Sequence, residues 1–415
     1  MGAQKKYLVV FAHAFEEFRL PELLTVCEIH GIEITHEGYT NEHPFLVITV
    51  SRDQDIPTIL NRCVMVQFVM EIWAQCDSRQ ALCASKFEEV VPLPGAFNIL
   101  LHSFGRKVAM KEKIDLIEEI EFLPLTGDVN CTKPDHVLYI IENYKPKAKP
   151  GEPFQVYFGP LVGRSNRSVI DKFSVKKRLY IGRTTMDAQL SFVMANLAMI
   201  ERGDLVYDPF LGTGSLIIPA AVHGAYTLGA DIDIKALNGW GKSTKRGEEK
   251  YAENQNIEGN MISYGLDTLY LGSHSADFSK PLLREGPLFD VIITDPPYGI
   301  REASLKIGNK SNVQQSQHTL SEQFLELLNF AARSLVVGGR LVYWLPVIRD
   351  LYSPSSVPQH PSLNLKYNCE QIFSRKSSRR LLVMIKTREV SPGDSAFITG
   401  DDSCLQYREL YFGKN

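Results

Sequence analysis

The sequence predicts an α/β fold: a doubly wound, mostly parallel sheet that ends in an antiparallel hairpin, preceded by smaller α+β modules. Three observations predict it. From residue 187 onward helical and strand-like stretches alternate, and the strands are apolar nearly throughout, as in parallel sheets covered on both faces. The last two strand candidates, 365–373 and 379–386, are joined only by SRKSS, which fits a hairpin and not a crossover. Before residue 145, short β-like runs mix with amphipathic helical ones, the pattern of small α+β units.

Composition sets the outer bounds. At 415 residues, with 44% hydrophobic and 22% charged residues, the chain has room for two or three domains with real cores. The net charge of -3 means that any nucleic-acid role must rest on a local basic patch. No apolar run reaches membrane-spanning length, and MGAQKKYLVV shows no secretory apolar region with a cleavage site. Lys6 stands where a myristoylation signal needs Ser or Thr. The seven cysteines are odd in number and form no Cys-x-x-Cys, so they read as reduced thiols of a cytoplasmic protein. The ten histidines have no metal-ligand spacing, and no metal is expected in this chain.

The elements follow in order. KYLVVFAH, PFLVITV, FNILLHSF and HVLYIIENY are strand-like, and 20–29 and 112–120 are amphipathic helices. YKPKAKPGEP, 144–153, is a linker by its Pro, Gly and Lys content. Residues 163–183 then set Arg164, Arg167, Lys172, Lys176, Lys177, Arg178 and Arg183 against one acid, Asp171, with Phe173 and Tyr180 interleaved. Such a run is either a solvated face or a contact to a phosphate backbone. Helix 188–200, strand 204–207, helix 215–223, strand 225–232 and a polar helix over 235–255 come next. A poorly patterned strand over 262–271, strand 289–294, a striped helix from Leu320 to Leu335 and strand 340–346 lead to the final hairpin.

LVYDPFLGTGSLIIPA, 205–220, reads as strand, glycine loop and helix. Gly212 and Gly214 fit the start of a dinucleotide fingerprint, but Ile217 stands at its third glycine. Asp208 would repel a pyrophosphate over that loop and would suit an ammonium. Asp231, in GADID at the end of the next strand, is placed for a ribose diol. Asp277, in HSADFSKP, is placed for an adenine amine, although a solvated loop acid reads almost as well. Each acid alone could merely cap a turn. As an ordered set they point to a ligand with an ammonium, a ribose and no pyrophosphate, S-adenosylmethionine.

VIITDPPYGI, 291–300, stops a strand against two prolines. Pro296 and Pro297 donate no backbone hydrogen bond and hold the residues before them extended. The bland reading is a strand ended by a Pro-Pro turn. The functional reading makes the Asp295 carboxylate and the Pro296 carbonyl two acceptors for an amino group, beside the ring of Tyr298. The reaction class is then N-methylation of an exocyclic base amine, or of an amide.

DPFLGTGS, GADID and DPPYGIRE, with GRTTMDAQLSFVMANLA and VKKRLYIG ahead of them, together resemble the catalytic subunits of eukaryotic tRNA guanosine-10 N2-methyltransferases. FLPLTGDVNCTKPDHVLYIIENY and VYFGPLVG resemble that family's THUMP domain, an RNA-binding module. The resemblance implies a ferredoxin-like domain over 1–75, THUMP over 76–165, a basic connector over 166–182 and a Rossmann-like class I methyltransferase domain over 183–415. It implies cofactor contacts at Thr184, Thr185, Asp187, Asp208, Gly212, Gly214, Asp231 and Asp277, and target contacts at Asp295, Pro296, Pro297 and Tyr298. From the basic run, RNA contacts are expected at Arg164, Arg167, Lys172, Lys176, Lys177 and Arg178. Arg183 and Thr185 depart from the Asn and Ser expected there, and the loop REASLKIGNKSNVQQSQH is shorter than in relatives. The family also implies tRNA as substrate and a small zinc-containing activator subunit that covers an apolar sheet edge. Two alternatives stay open: methylation of adenine or cytosine in DNA, and a tRNA-binding subunit without catalysis.

Overall fold

Short β-branched and aromatic runs form the strands of the first unit, Met1–Arg167, because such side chains pack well on a pleated surface. The computed structural model describes residues 5–85, 93–119, 127–144, 153–182, 184–240, 250–278, 283–284, 286–298, 306–307, 313–314 and 319–406. The linker core 145–152, Arg183 and most of the loop after the double proline lie outside the described residues. In chain order the unit has β1 (Tyr7–Phe11), α1 (Arg19–Ile29), β2 (Ile34–His36), β3 (Phe45–Val50), α2 (Ile56–Arg62) and β4 (Val66–Glu71). Then come β5 (Ala74–Cys76), α3 (Arg79–Cys83), β6 (Phe97–Phe104), α4 (Met110–Glu119), β7 (His136–Asn143) and β8 (Gln155–Arg164).

One sheet runs through all of it, in the order β2-β3-β1-β4-β8-β7-β6, with β5 also paired to β8. Only β6 and β7 run parallel. The ten-residue β8 joins the halves: Val156 to Phe158 pair with β5, and Leu161 to Arg164 pair with β4. The sheet curls strongly. Phe45 on β3 and Phe104 on β6 bring their rings to 5.9 Å although four strands separate them in the order. Leu8, Val10, Phe45, Phe68, Met70, Tyr139, Ile141 and Tyr157 fill the concave side. The alternate residues Leu138, Ile140, Val156 and Phe158 face Leu82 and Leu116 of α3 and α4, as the two-residue period of a strand requires.

The second unit, Ser168–Asn415, is α/β. It contains α5 (Ser168–Lys172), α6 (Ala188–Leu197), β9 (Leu205–Asp208), α7 (Ile217–Val222), β10 (Tyr226–Asp231) and α8 (Ile234–Asn238). Next are α9 (Ile257–Tyr264), β11 (Tyr270–Ser275), β12 (Phe289–Thr294) and a two-residue antiparallel ladder of β13 (Lys306–Ile307) with β14 (Val313–Gln314). The unit closes with α10 (Leu320–Ser334), β15 (Leu335–Ile348), β16 (Leu363–Ile372) and β17 (Ser377–Lys386). The sheet order is β11-β10-β9-β12-β15-β17-β16. The first five strands are parallel, and β17 runs antiparallel to both β15 and β16. The predicted terminal hairpin is therefore present.

Helix α10 starts at a capping box, the Thr319 side chain accepting from Glu322 N–H while Glu322 reaches back. Its stripe of Phe324, Leu327, Leu328 and Ala331 is fully buried against Ile292, Leu341 and Tyr343. Each large apolar side chain buried this way contributes about 2 kcal/mol.

Two expectations are corrected. Of the polar helix expected over 235–255, the described residues are helical only as α8, which Gly239 at φ 66 ends, and 250–255 are not helical; 241–249 lie outside the described residues. The strand expected over 262–271 begins instead at Tyr270. Ahead of it stands α9, started by the Asn256 side chain accepting from Gly259 N–H at 2.7 Å and stopped by Gly265 at φ 69.

Candidate active site at the carboxyl edge of the second sheet

Parallel strands end together, so the acids that follow them collect on one edge. Asp208 closes β9, Asp231 closes β10, Asp277 lies two residues past β11, and Asp295 follows β12 directly. The four predicted acids are thus brought to the same carboxyl edge.

Asp208 is buried, and its Oδ1 accepts from Thr294 Oγ1 at 2.6 Å and Phe210 N–H at 3.0 Å. Burial pushes its pKa up to about 7. Among the described residues no Lys or Arg forms an ion pair with it, so a ligand cation suits this carboxylate. Asp231 anchors the glycine loop: its Oδ2 accepts from Gly212 N–H at 2.8 Å and its Oδ1 from Asp233 N–H at 2.9 Å. Burial raises its pKa as well. Gly212 has φ 52, and a Cβ there would meet no atom within 4 Å, so the loop leaves open space above it. Gly214, at φ 76, lies against Ile257. Asp277 is buried.

The segment 184–187 is tied to that loop. Thr185 Oγ1 accepts from Gly182 N–H at 2.6 Å and lies 3.1 Å from Thr213 Oγ1. Met186 N–H donates to Ser215 Oγ at 3.2 Å. Thr184 is exposed. Asp187 caps α6, accepting from Gln189 and Leu190 N–H, so its carboxylate serves the helix.

After β12, nothing among the described residues donates to the Pro296 carbonyl, and Pro296 and Pro297 have no N–H with which to continue the ladder. Tyr298 donates its hydroxyl hydrogen to Asp295 Oδ1. Asp295 Oδ2 accepts from Arg379 Nη1 at 3.0 Å, and the same nitrogen lies 3.2 Å from the Tyr298 hydroxyl. Burial raises the Asp295 pKa while Arg379 opposes the rise. Arg379 was missed by sequence reasoning. Its signal was the charged pair opening RRLLVMIK, the start of an antiparallel strand, which must lie at the carboxyl edge of the parallel ones.

The basic segment does not present one face. Arg178 is a correction: it is buried, its guanidinium donating to the Phe173 carbonyl and, at 3.1 Å, to Ser215 Oγ. Arg178 therefore braces the glycine loop and is withdrawn from the surface. Arg167 turns back to the Val64 carbonyl, and burial lowers its pKa. Arg164 is exposed, bonded to the Tyr139 hydroxyl, and lies 5.7 Å from the Phe68 and Tyr139 ring centres. Lys172, Lys176 and Lys177 are exposed, with Lys177 paired to Asp171 at 2.6 Å.

The donor set fits S-adenosylmethionine: a buried carboxylate for an ammonium, a second acid for a diol, a third for an amine, and an open glycine loop between them. A sheet of this order with such a loop and Asp-Pro-Pro-Tyr after β12 defines a class I S-adenosylmethionine-dependent methyltransferase. Residues 5–167 match the family model described as Tmrp11 THUMP N-terminal domain, and 176–346 that of the RMKL-like methyltransferase domain. The tRNA (guanine(10)-N(2))-methyltransferase TRMT11 of Rattus norvegicus is 38% identical over 440 residues, covering 99% of this chain and 95% of its own. The TRMT11 of Dictyostelium discoideum is 34% identical, covering 92% of this chain and 82% of its own. The crystal structure of TrmN from Thermus thermophilus aligns at a TM-score of 0.49 with 15% identity, over 92% of this chain and 99% of that one. The chain belongs to the tRNA (guanine(10)-N(2))-methyltransferase TRMT11 family.

Proposed function

We propose that this chain methylates the exocyclic N2 amine of guanosine 10 in tRNA, using S-adenosylmethionine, as the catalytic subunit of a cytoplasmic heterodimer. The observation that carries this reading is the match to TRMT11 over 99% of the chain. S-adenosylmethionine, when bound, supplies an electrophilic methyl group, with Asp208, Asp231 and Asp277 placed for its ammonium, ribose and adenine amine. The target amine has two N–H donors. Accepting both, one on Asp295 and one on the Pro296 carbonyl, draws the nitrogen toward tetrahedral geometry and exposes its lone pair. The amine needs no strong base beforehand, because its proton becomes acidic once nitrogen is alkylated and then passes to the Asp295 carboxylate. Catalysis is mainly positioning and fixed electrostatics. Tyr298 offers a stacking plane to the extruded base, worth about 1–3 kcal/mol. Arg164, Lys172 and Lys176 are the exposed cations proposed to meet RNA.

The second subunit is proposed to be a small zinc protein that covers an apolar edge of the second sheet. The sheet ends on β11 and β16, with Leu271 exposed on the first and Leu365 and Ile372 on the second. Seven free cysteines support a reducing, cytoplasmic setting.

The test is methyl transfer from labelled S-adenosylmethionine to unmodified tRNA carrying G10, A10 or C10. Labelling of the G10 transcript alone is expected. Equal labelling of all three, or labelling of DNA instead, overturns the assignment. Asp295→Ala is expected to cut transfer by at least about 100-fold while cofactor affinity measured by calorimetry stays nearly unchanged.

A further inference from the structure

Arg379 reaches the site only through topology. Because β17 is antiparallel to β15, its first residues lie beside the last of β15, with Arg379 opposite Pro346 on one side and Gln371 of β16 on the other. The residue is 8% exposed, and its guanidinium is held on every side. Nε donates to Gln371 Oε1 at 2.7 Å, Nη1 to Asp295 and Tyr298, and Nη2 approaches Met186 Sδ at 3.3 Å. The plane lies 3.9 Å from the centre of the Trp344 ring and 5.4 Å from that of Phe373. An arginine used only to fill space between Trp344 and Phe373 would not need Nη1 aimed at two residues of the Asp-Pro-Pro-Tyr turn. A buried pair of this kind also costs desolvation and is weak evidence of stabilisation.

We propose that Arg379 is the positioning residue of the transfer: it fixes the Asp295 carboxylate as an anionic acceptor for the target amine and couples it, through Met186, to the segment beside the cofactor loop. This rests on the proposed transfer to an exocyclic amine. With Tyr298 on Oδ1 and Arg379 on Oδ2, the carboxylate plane is set, and each oxygen keeps a lone-pair direction for substrate. Among the described residues, the charged and titratable groups facing Asp295 are Arg379, Tyr298 and, across the sheet edge, Asp208. Arg379 is the only cation among them. Without it, burial favours a protonated Asp295, which can accept one N–H less well and donates where an acceptor is needed.

The experiment uses the full chain with its proposed activator subunit, G10 tRNA and labelled S-adenosylmethionine. Arg379→Gln is expected to lower kcat by about 10- to 100-fold, with cofactor affinity by calorimetry nearly unchanged. The acidic limb of its pH–rate profile moves to higher pH, because removing the cation raises the carboxylate pKa. Arg379→Lys restores that limb but not the full rate, since a point charge cannot hold Gln371, Asp295 and Met186 at once as the planar guanidinium does. Under single-turnover conditions, Arg379→Gln adds no further loss to Asp295→Asn. The proposal is overturned if Arg379→Gln keeps the wild-type rate and pH limb, or if its loss is undiminished beside Asp295→Asn. Should the Gln variant not fold, Arg379→Lys decides, and a wild-type rate for it overturns the proposal. An inactive wild-type complex would instead overturn the guanosine-10 reading.

Discussion

Asp208 shows how one residue couples binding to pH. Its pKa in the folded chain, about 7, lies above the usual 3.8, so between these values the folded state holds a proton that the unfolded state has lost. Stability of the ligand-free chain therefore falls as pH rises from about 4 to 7. Cofactor affinity runs the other way, because an ammonium needs the anion. We expect S-adenosylmethionine binding, measured by calorimetry, to weaken as pH drops below about 7. Asp208→Asn keeps an oxygen for Thr294 and Phe210. It is expected to flatten that dependence, weaken binding by about 10- to 100-fold and raise the ligand-free melting temperature at pH 8. Asp208, Asp231 and Asp295 were legible in the sequence because each follows an apolar strand run and parallel strands share an edge. Arg379 was not, since its partner lies 84 residues away and only strand direction joins them. Arg178 misled for the opposite reason: a basic run looks uniform until packing turns one member inward.

At the scale of elements, periodicity located the long, apolar ones. Strand β12 and the stripe of α10 stand where alternation and the helical repeat placed them. Helix α9 was lost because its signals are local: an Asn cap, a Gly stop and no clear stripe. Its buried Asn260 does the work of a strand partner, donating to the Tyr180 carbonyl at 2.8 Å and accepting from Tyr180 N–H at 3.0 Å. Asn260→Ala leaves both backbone groups unsatisfied. It is expected to destabilise the second unit by about 2–4 kcal/mol in urea denaturation of the full chain. Residues 184–187 should loosen with it, seen as faster amide exchange there.

For the whole molecule, the activator proposal makes a solubility prediction. The chain expressed alone is expected to be poorly soluble or inactive, and co-expression with the activator to rescue it. Full activity of the purified single chain would sink the claim. Leu271→Asp on β11 and Leu365→Asp on β16 report which edge is covered: the variant at that edge loses rescue while the other keeps it.

The long strand β8 has a consequence for shortening the chain. It is made after residue 154, yet it is the neighbour of β4, made before residue 72, so the front of the protein stays open-edged until synthesis has passed residue 164. A fragment ending near residue 75 exposes the β4 edge, and one starting near 76 leaves half of β8 unmatched. Both should aggregate on refolding where a fragment of 1–167 does not, with light scattering as the readout. The smallest piece that can be cut free at the front is set by a seam, not by a motif.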